Sequence, residues 1–386
     1  MECYFDNAAT TRVCAEAAEI MERVMREDYG NPSSKHIKGF EAEKYIRNAA
    51  ETIAETLHAQ PKEIVFTSGG TESNNMSLIG SALANRRRGK HIIASAFEHP
   101  AVYNPLLSLE EYGFEIEFAP VDRLGHIDPA GLASMVRDDT ILVSVMYVNN
   151  EVGAVQDIPA LSKAVKSKNP ATVFHSDAIQ AYGKYRINPK KEGIDLLSVS
   201  GHKLHGPKGS GFLYIADGTK LKPLIYGGGQ QKDRRSGTEN VPAIAGLGTA
   251  AGMIYREFDE RREKLYELKK HMTARITEVE GSHVNAVTGD IYECAPHIVS
   301  VSFDKIKAEV LLHALEERGI YVSSGSACSS NHPGISGTLK AVGVNKSLLD
   351  STLRFSFCAD NTAEEIDYCI ECLKELVPVY SRFSRK

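Results

Sequence analysis

Residues 64–75 read Ile-Val-Phe-Thr-Ser-Gly-Gly-Thr-Glu-Ser-Asn-Asn. Four strand-forming residues run into a glycine pair, and the polar stretch behind it opens a helix-periodic segment that reaches about Arg86. A strand that turns on glycine into a helix is the start of a βαβ unit. Its helix start offers backbone N–H groups, a hydroxyl and the positive end of a dipole to an anion. Outward from here the same grammar repeats. His91–Ser95 precedes a helix that begins near Pro100, and Phe114–Phe118, Ile141–Val148, Val173–Ser176, Leu196–Val199 and Phe212–Ile215 follow as short apolar runs. Helical segments such as 159–166 separate several of them. The alternation predicts an α/β architecture on a mostly parallel, buried sheet.

After about residue 245 the pattern changes. Gly246–Glu280 reads as one long helix, His297–Phe303 as a strand, Lys307–Arg318 as a helix and Ile320–Ser323 as a strand. The strand Leu353–Phe357 and a helix from Ala363 close the chain. This predicts a large α/β domain over 13–259 and a small α+β domain made of 1–12 plus 260–386.

Composition narrows the function. Across 386 residues, 45 Lys and Arg stand against 50 Asp and Glu, a net charge of -5 that makes no electrostatic case for nucleic acid. The Arg86-Arg87-Arg88 run reads as a solvated helix end. No apolar stretch approaches the ~20 residues that span a bilayer, and no secretory pattern opens the chain, so a cytoplasmic protein is expected. Seven scattered cysteines, an odd number, fit reduced thiols better than a disulfide framework. Cys369 and Cys372 share a helical stripe with Ile366 and Leu373 and read as core, and Cys358 reads as structural. The histidines lack paired metal-ligand spacing, so no metal is expected. Pro207 interrupts what would otherwise resemble a nucleotide-binding loop before Lys208.

In open α/β sheets ligands bind beyond the carboxyl ends of the strands. The residues that follow successive strands here are polar: Gly70 and Thr71, then His99, then Asn149 and Asn150, then Asp177 with Gln180 one helical turn on, then Ser200, His202 and Lys203. An anion site, a lysine, a strand-end aspartate and a histidine able to stack on a ring match the needs of pyridoxal phosphate. Its Schiff base needs the lysine, its pyridine nitrogen the aspartate. A helix dipole contributes only about 0.3–1 kcal/mol, so Thr71, Ser200 and His202 are needed as further phosphate donors.

Six stretches together resemble the cysteine desulfurases of the nitrogen-fixation and iron–sulfur-cluster type, which are class V aminotransferases of pyridoxal-phosphate fold type I. They are Tyr4–Thr11, Gly30–Ser34, Asn149–Gly153, Gly201–Gly209, Arg235–Asn240 and Ser323–Cys328. The last resembles the long-loop group I form. The resemblance implies Lys203 as the Schiff-base lysine, His99 stacked on the ring and moving protons, Asp177 on the ring nitrogen and Gln180 on the ring hydroxyl. It implies Gly70, Thr71, Ser200 and His202 around the phosphate, with Thr238 reaching in from the other subunit of a homodimer. Asn150 and Arg354 would orient the substrate, L-cysteine. Cys328 would take its sulfur as a persulfide, leave L-alanine, and pass the sulfur to an acceptor such as an iron–sulfur scaffold or a thiolation relay. Selenocysteine lyase and a catalytically degenerate scaffold protein are the competing readings. Gln231 and Asp233 depart from the family pattern, which commonly has glutamate and glycine there.

Cys328 sits in the 15 residues from Ser323 to Gly337, a serine- and glycine-rich run. At ~3.4 Å per extended residue, the stretch from Cys328 to Gly337 reaches up to roughly 30 Å. A mobile arm that carries the thiol between cofactor and surface is therefore expected.

Overall fold

The structure is a computed structural model and describes residues 1–286, 290–324 and 336–383. Cys328 and most of the expected arm lie outside these residues. In chain order the strands are β1 (Cys3–Tyr4), β2 (Ile64–Thr67), β3 (His91–Ser95), β4 (Glu115–Ala119), β5 (Thr140–Ser144), β6 (Val173–Asp177) and β7 (Leu196–Ser200). After them come β8 (Gly211–Ile215), β9 (Ser282–Val284), β10 (Ile298–Phe303), β11 (Ile320–Tyr321), β12 (Ser323–Ser324) and β13 (Thr352–Ser356).

Burial orders the main sheet. Strands β3, β5, β6 and β7 are buried at every residue, as strands covered on both faces must be. In β4, Glu115 and Glu117 face solvent, which suits an edge. The seven strands run in the order β2-β8-β7-β6-β5-β3-β4. All pairs are parallel except those made by β8. The carboxyl ends of β2, β3, β5, β6 and β7 consequently share one edge of the sheet. The structure bears out the expected α/β class.

Boundaries differ where side chains outvote the pattern. The apolar run 141–148 is strand only as β5; beyond it, the Val145 and Tyr147 N–H groups still bond the His175 and Asp177 carbonyls before the chain turns. The single helix expected over 246–280 is two, Val241–Arg256 and Phe258–Ile276, broken at Glu257. The break lets Phe258 stack on Tyr255 at 5.3 Å, and the first helix starts early because Asn240 caps it. The strand expected over 320–323 divides at Val322 between two sheets.

A second core surrounds the antiparallel sheet β12-β13-β10-β9. Val299, Val301, Leu353 and Phe355 pack there against helices that include Ile366, Cys369, Cys372 and Leu373, so both helical cysteines are core residues. The helix Ala363–Tyr380 opens on a Thr362/Glu365 capping box. The amino-terminal segment joins both cores: β1 pairs in parallel with β11, and the Thr11 N–H donates to the His202 carbonyl at 2.8 Å.

Gln231, one of the departures from the family pattern, closes the β2 edge. Its side-chain oxygen accepts from the Phe66 N–H at 2.7 Å and its amide donates to the Phe66 carbonyl at 2.9 Å, doing with a side chain what a neighbouring strand does with backbone. Among the described residues, no helix is long and apolar enough to cross a membrane.

Candidate active site

Above the shared carboxyl edge opens a cleft of about 190 Å³. Gly70, Thr71, His99, Asn150, Asp177, Gln180, Ser200, His202, Lys203 and Arg354 all line it, ten positions expected from the sequence brought to one place. Thr238 is not among them: it lies in a separate depression with Arg235, Gln231 and Ser68.

Each group is set by local structure. Asp177 ends β6, 2% exposed, and accepts from Asn74 Nδ2 at 2.7 Å and from the Ile179 N–H at 3.0 Å. Burial pushes its carboxyl up, while the Ile179 N–H, His99, Asn74 and Lys203 oppose that. His99 is the N-cap of the helix Pro100–Glu110, its Nδ1 accepting from the Ala101 N–H at 3.0 Å. Burial pushes the imidazole down, so the ring is neutral and its proton sits on Nε2. Lys203 follows β7 in a short 3₁₀ turn, and its Nζ donates to the Ala8 and Ala9 carbonyls, both at 2.6 Å. Gln180 donates to the same Ala8 carbonyl at 2.9 Å and takes His297 Nε2 at 3.1 Å on its oxygen. Arg354, on β13, donates to the Asn150 carbonyl at 2.9 Å and to Asp6 at 2.8 Å. Its Nε is buried with no partner among the described residues.

The cradle for a phosphate is steric as well as polar. Gly69 has φ +146°, and a Cβ at Gly70 would sit 2.1 Å from Ile179 Cδ1, so the helix start lies bare against the cleft. Thr71, Ser200 and His202 surround it; burial and the nearby lysines push His202 down to about 4, leaving a neutral donor.

Sequence reading missed Glu98. The residue is partly exposed, but its Oε2 is buried and has no partner among the described residues, while its Oε1 accepts both the Ser95 hydroxyl and the Met146 N–H at 2.6 Å. Burial, aided by Asp177, pushes its carboxyl from 4.5 to about 8. Two neighbouring buried carboxyls do not both ionise. Glu98 keeps a proton on Oε2, and Asp177, which has His99 and Lys203 beside it as well as two donors, carries the charge. The signal in the sequence was a carboxyl three residues past a fully buried strand and directly before His99. Between pH 4.5 and about 8 the folded protein holds a proton that the unfolded chain has lost, so this group's contribution to stability falls as pH rises through that window. Glu98→Gln should abolish that dependence. Relative to the parent, its unfolding free energy should rise by roughly 2–4 kcal/mol from pH 5 to pH 8 in denaturant titrations. A difference that stays flat with pH would mean that Glu98 is ionised in the fold.

A cleft with a lysine amine, a buried strand-end aspartate, a neutral histidine and a bare glycine helix start defines a pyridoxal-phosphate enzyme of the aminotransferase type. Comparison with known proteins agrees. The Aminotransferase class-V family model matches residues 3–369. The cysteine desulfurase IscS of Methanosarcina thermophila is 43% identical over 97% of this chain and 91% of its own length. A solved NifS-like protein superposes with TM-score 0.92 at 37% identity, covering 98% of this chain and 100% of that one. A structure of SspA in complex with cysteine superposes with TM-score 0.81 at 33% identity over 93% of this chain and 100% of that one. The chain belongs to the class-V aminotransferases, in their cysteine desulfurase branch.

Proposed function

We propose that this protein is a cysteine desulfurase that takes sulfur from L-cysteine, releases L-alanine and holds the sulfur as a persulfide on Cys328. The observation that carries the reading is Lys203 in one cleft with Asp177, His99 and Arg354. The residues fit pyridoxal phosphate: the Gly70 helix start with Thr71, Ser200 and His202 would hold its phosphate, Asp177 its ring nitrogen and Gln180 its hydroxyl. When bound, the cofactor supplies an electron sink that weakens bonds at the substrate's α-carbon.

The chain's own residues do the rest. Lys203 Nζ would hold the cofactor and, when free, would take the α-proton of the substrate. Arg354 binds the substrate carboxylate; its guanidinium is oriented by Asn150 and Asp6, and its fork matches a carboxylate. Cys328 sulfur then forms a bond to the substrate sulfur as the substrate's carbon–sulfur bond breaks. A thiol near pKa ~8.5 is only a few per cent thiolate at neutral pH, so a proton acceptor is required. His99 starts with its proton on Nε2 and Nδ1 engaged by Ala101. It therefore donates first, and takes the thiol proton only after giving up its own.

The active unit is a homodimer in which Thr238 reaches the partner's phosphate, a reading supported by its position outside its own chain's cleft. The persulfide goes on to a protein acceptor, in iron–sulfur cluster assembly or thiolation, in the cytoplasm. The direct test is to supply cysteine labelled in sulfur and measure alanine released and label bound to Cys328. Alanine without label on that residue would sink the assignment. Arg354→Lys keeps the charge but loses the fork. It should raise KM for cysteine about 10- to 100-fold with cofactor absorbance unchanged. An unchanged KM would remove Arg354 from substrate recognition.

A further inference from the structure

A small hollow of about 30 Å³ adjoins the Lys203 turn, with Lys184, His205, Arg261, His297 and Cys358 in its lining. At its side, one ring nitrogen of His205, the Cys358 sulfur and an Asp360 oxygen all lie within 4.8 Å of one another. We propose that His205, Cys358 and Asp360 bind a divalent transition metal of the zinc type, which ties the Lys203 turn to the turn that follows β13.

The donor set is nitrogen, sulfur and oxygen, the mixture that borderline ions accept. Bonds of ~2.0–2.3 Å to such an ion place tetrahedral ligands roughly 3–4 Å apart, which these side chains reach by a small closure. Two details prepare the site. His205 Nδ1 donates to the Arg12 carbonyl at 2.9 Å, which leaves Nε2 for a metal; a metal-bound histidine is commonly fixed by such a carbonyl. The Cys358 turn is rigid: its N–H donates to Asn361 Oδ1 at 2.9 Å, and Asn7 donates to the same oxygen at 3.3 Å.

A thiolate and a carboxylate neutralise the ion. Arg261 and Lys184 stand nearby, and burial pushes Lys184 down to about 7. Beside these cations one carboxylate is a poor site for magnesium or calcium, and the metal–thiolate bond decides in favour of zinc. The exposed Asp360 gives an entry path, and the fourth position is left to water. No motif announces this site, because His205 is far along the sequence from Cys358 and Asp360.

The test uses cofactor-loaded protein in a Cys328→Ala background, which removes a competing thiol. Titration with Co²⁺ should give one equivalent bound per chain, with a thiolate-to-cobalt charge-transfer band and the intense visible absorption of a four-coordinate ion, both displaced by Zn²⁺. Cys358→Ser should abolish the charge-transfer band. Asp360→Ala, at an exposed position that does not threaten the fold, should weaken Co²⁺ at least about tenfold. The absence of a thiolate band in the parent, or a band that survives Cys358→Ser, overturns the site; unchanged affinity in Asp360→Ala overturns the three-ligand set.

Discussion

Lys203→Ala is expected to lower alanine formation from cysteine by at least ~10³-fold and to leave the protein without a covalently attached cofactor. Two losses combine: the bond that holds the cofactor, and proton transfer at the α-carbon, a role worth about 10²–10⁴ by itself. Borohydride reduction followed by peptide mass spectrometry should place the cofactor on Lys203 in the parent and nowhere in the variant. Lys184 is the informative rival. Its amine, pushed down to about 7, donates to the Lys203 carbonyl, and it lines the neighbouring hollow. Cofactor trapped on Lys184 would move the assignment. The same variant tests the dimer. Mixed and reassembled with Thr238→Ala protomers, it should recover activity beyond either parent alone, because one site of each mixed dimer then has both Lys203 and Thr238. Failure to recover would leave Thr238 without a role across the interface.

Cys328→Ser should remove sulfide release from cysteine to a comparable extent, at least ~10³-fold, yet retain cofactor absorbance and the spectral change on adding cysteine. A serine hydroxyl has neither the acidity nor the affinity for sulfur of a thiolate. The separation of outcomes matters: Lys203→Ala loses cofactor and turnover together, whereas Cys328→Ser loses turnover alone. Full release in the presence of reductant would show that an external thiol, or another cysteine, accepts the sulfur.

The sheet was legible because burial on both faces writes itself as continuous apolar runs, and the polar residues at their ends are legible because strand ends in such sheets face one edge. Ten cleft residues came from that logic and from the family resemblance. What stayed hidden depends on distant chain segments. Asp6 meets Arg354, and the Ala8 and Ala9 carbonyls meet Lys203, through backbone or through a fold that sequence spacing does not encode. Asn74 was visible as a polar residue early in its helix, but not as the donor to Asp177. Gln231 was visible as a departure, yet its task of pairing with β2 leaves no periodic trace. The long helix failed for a different reason: Gly246–Glu280 reads as continuous helix, and the break at Glu257, beside the stacked Tyr255 and Phe258 rings, leaves no periodic trace.

The amino-terminal segment has a temporal consequence. Ala8 and Lys203 are far apart along the chain, and Asp6 forms a bridge to Ser356 near the other end. Contacts of such sequence separation are slow to close and form only when the intervening parts are in place. During synthesis, residues 6–9 must wait for the segment around Arg354 and Ser356 before the cleft is complete. A nascent chain with the large sheet already folded still lacks Arg354 and its Asp6 partner in position. The chemistry of the cleft is thereby withheld until the strand that carries Arg354 exists, and a shorter nascent chain with Lys203 in it has no finished place to react.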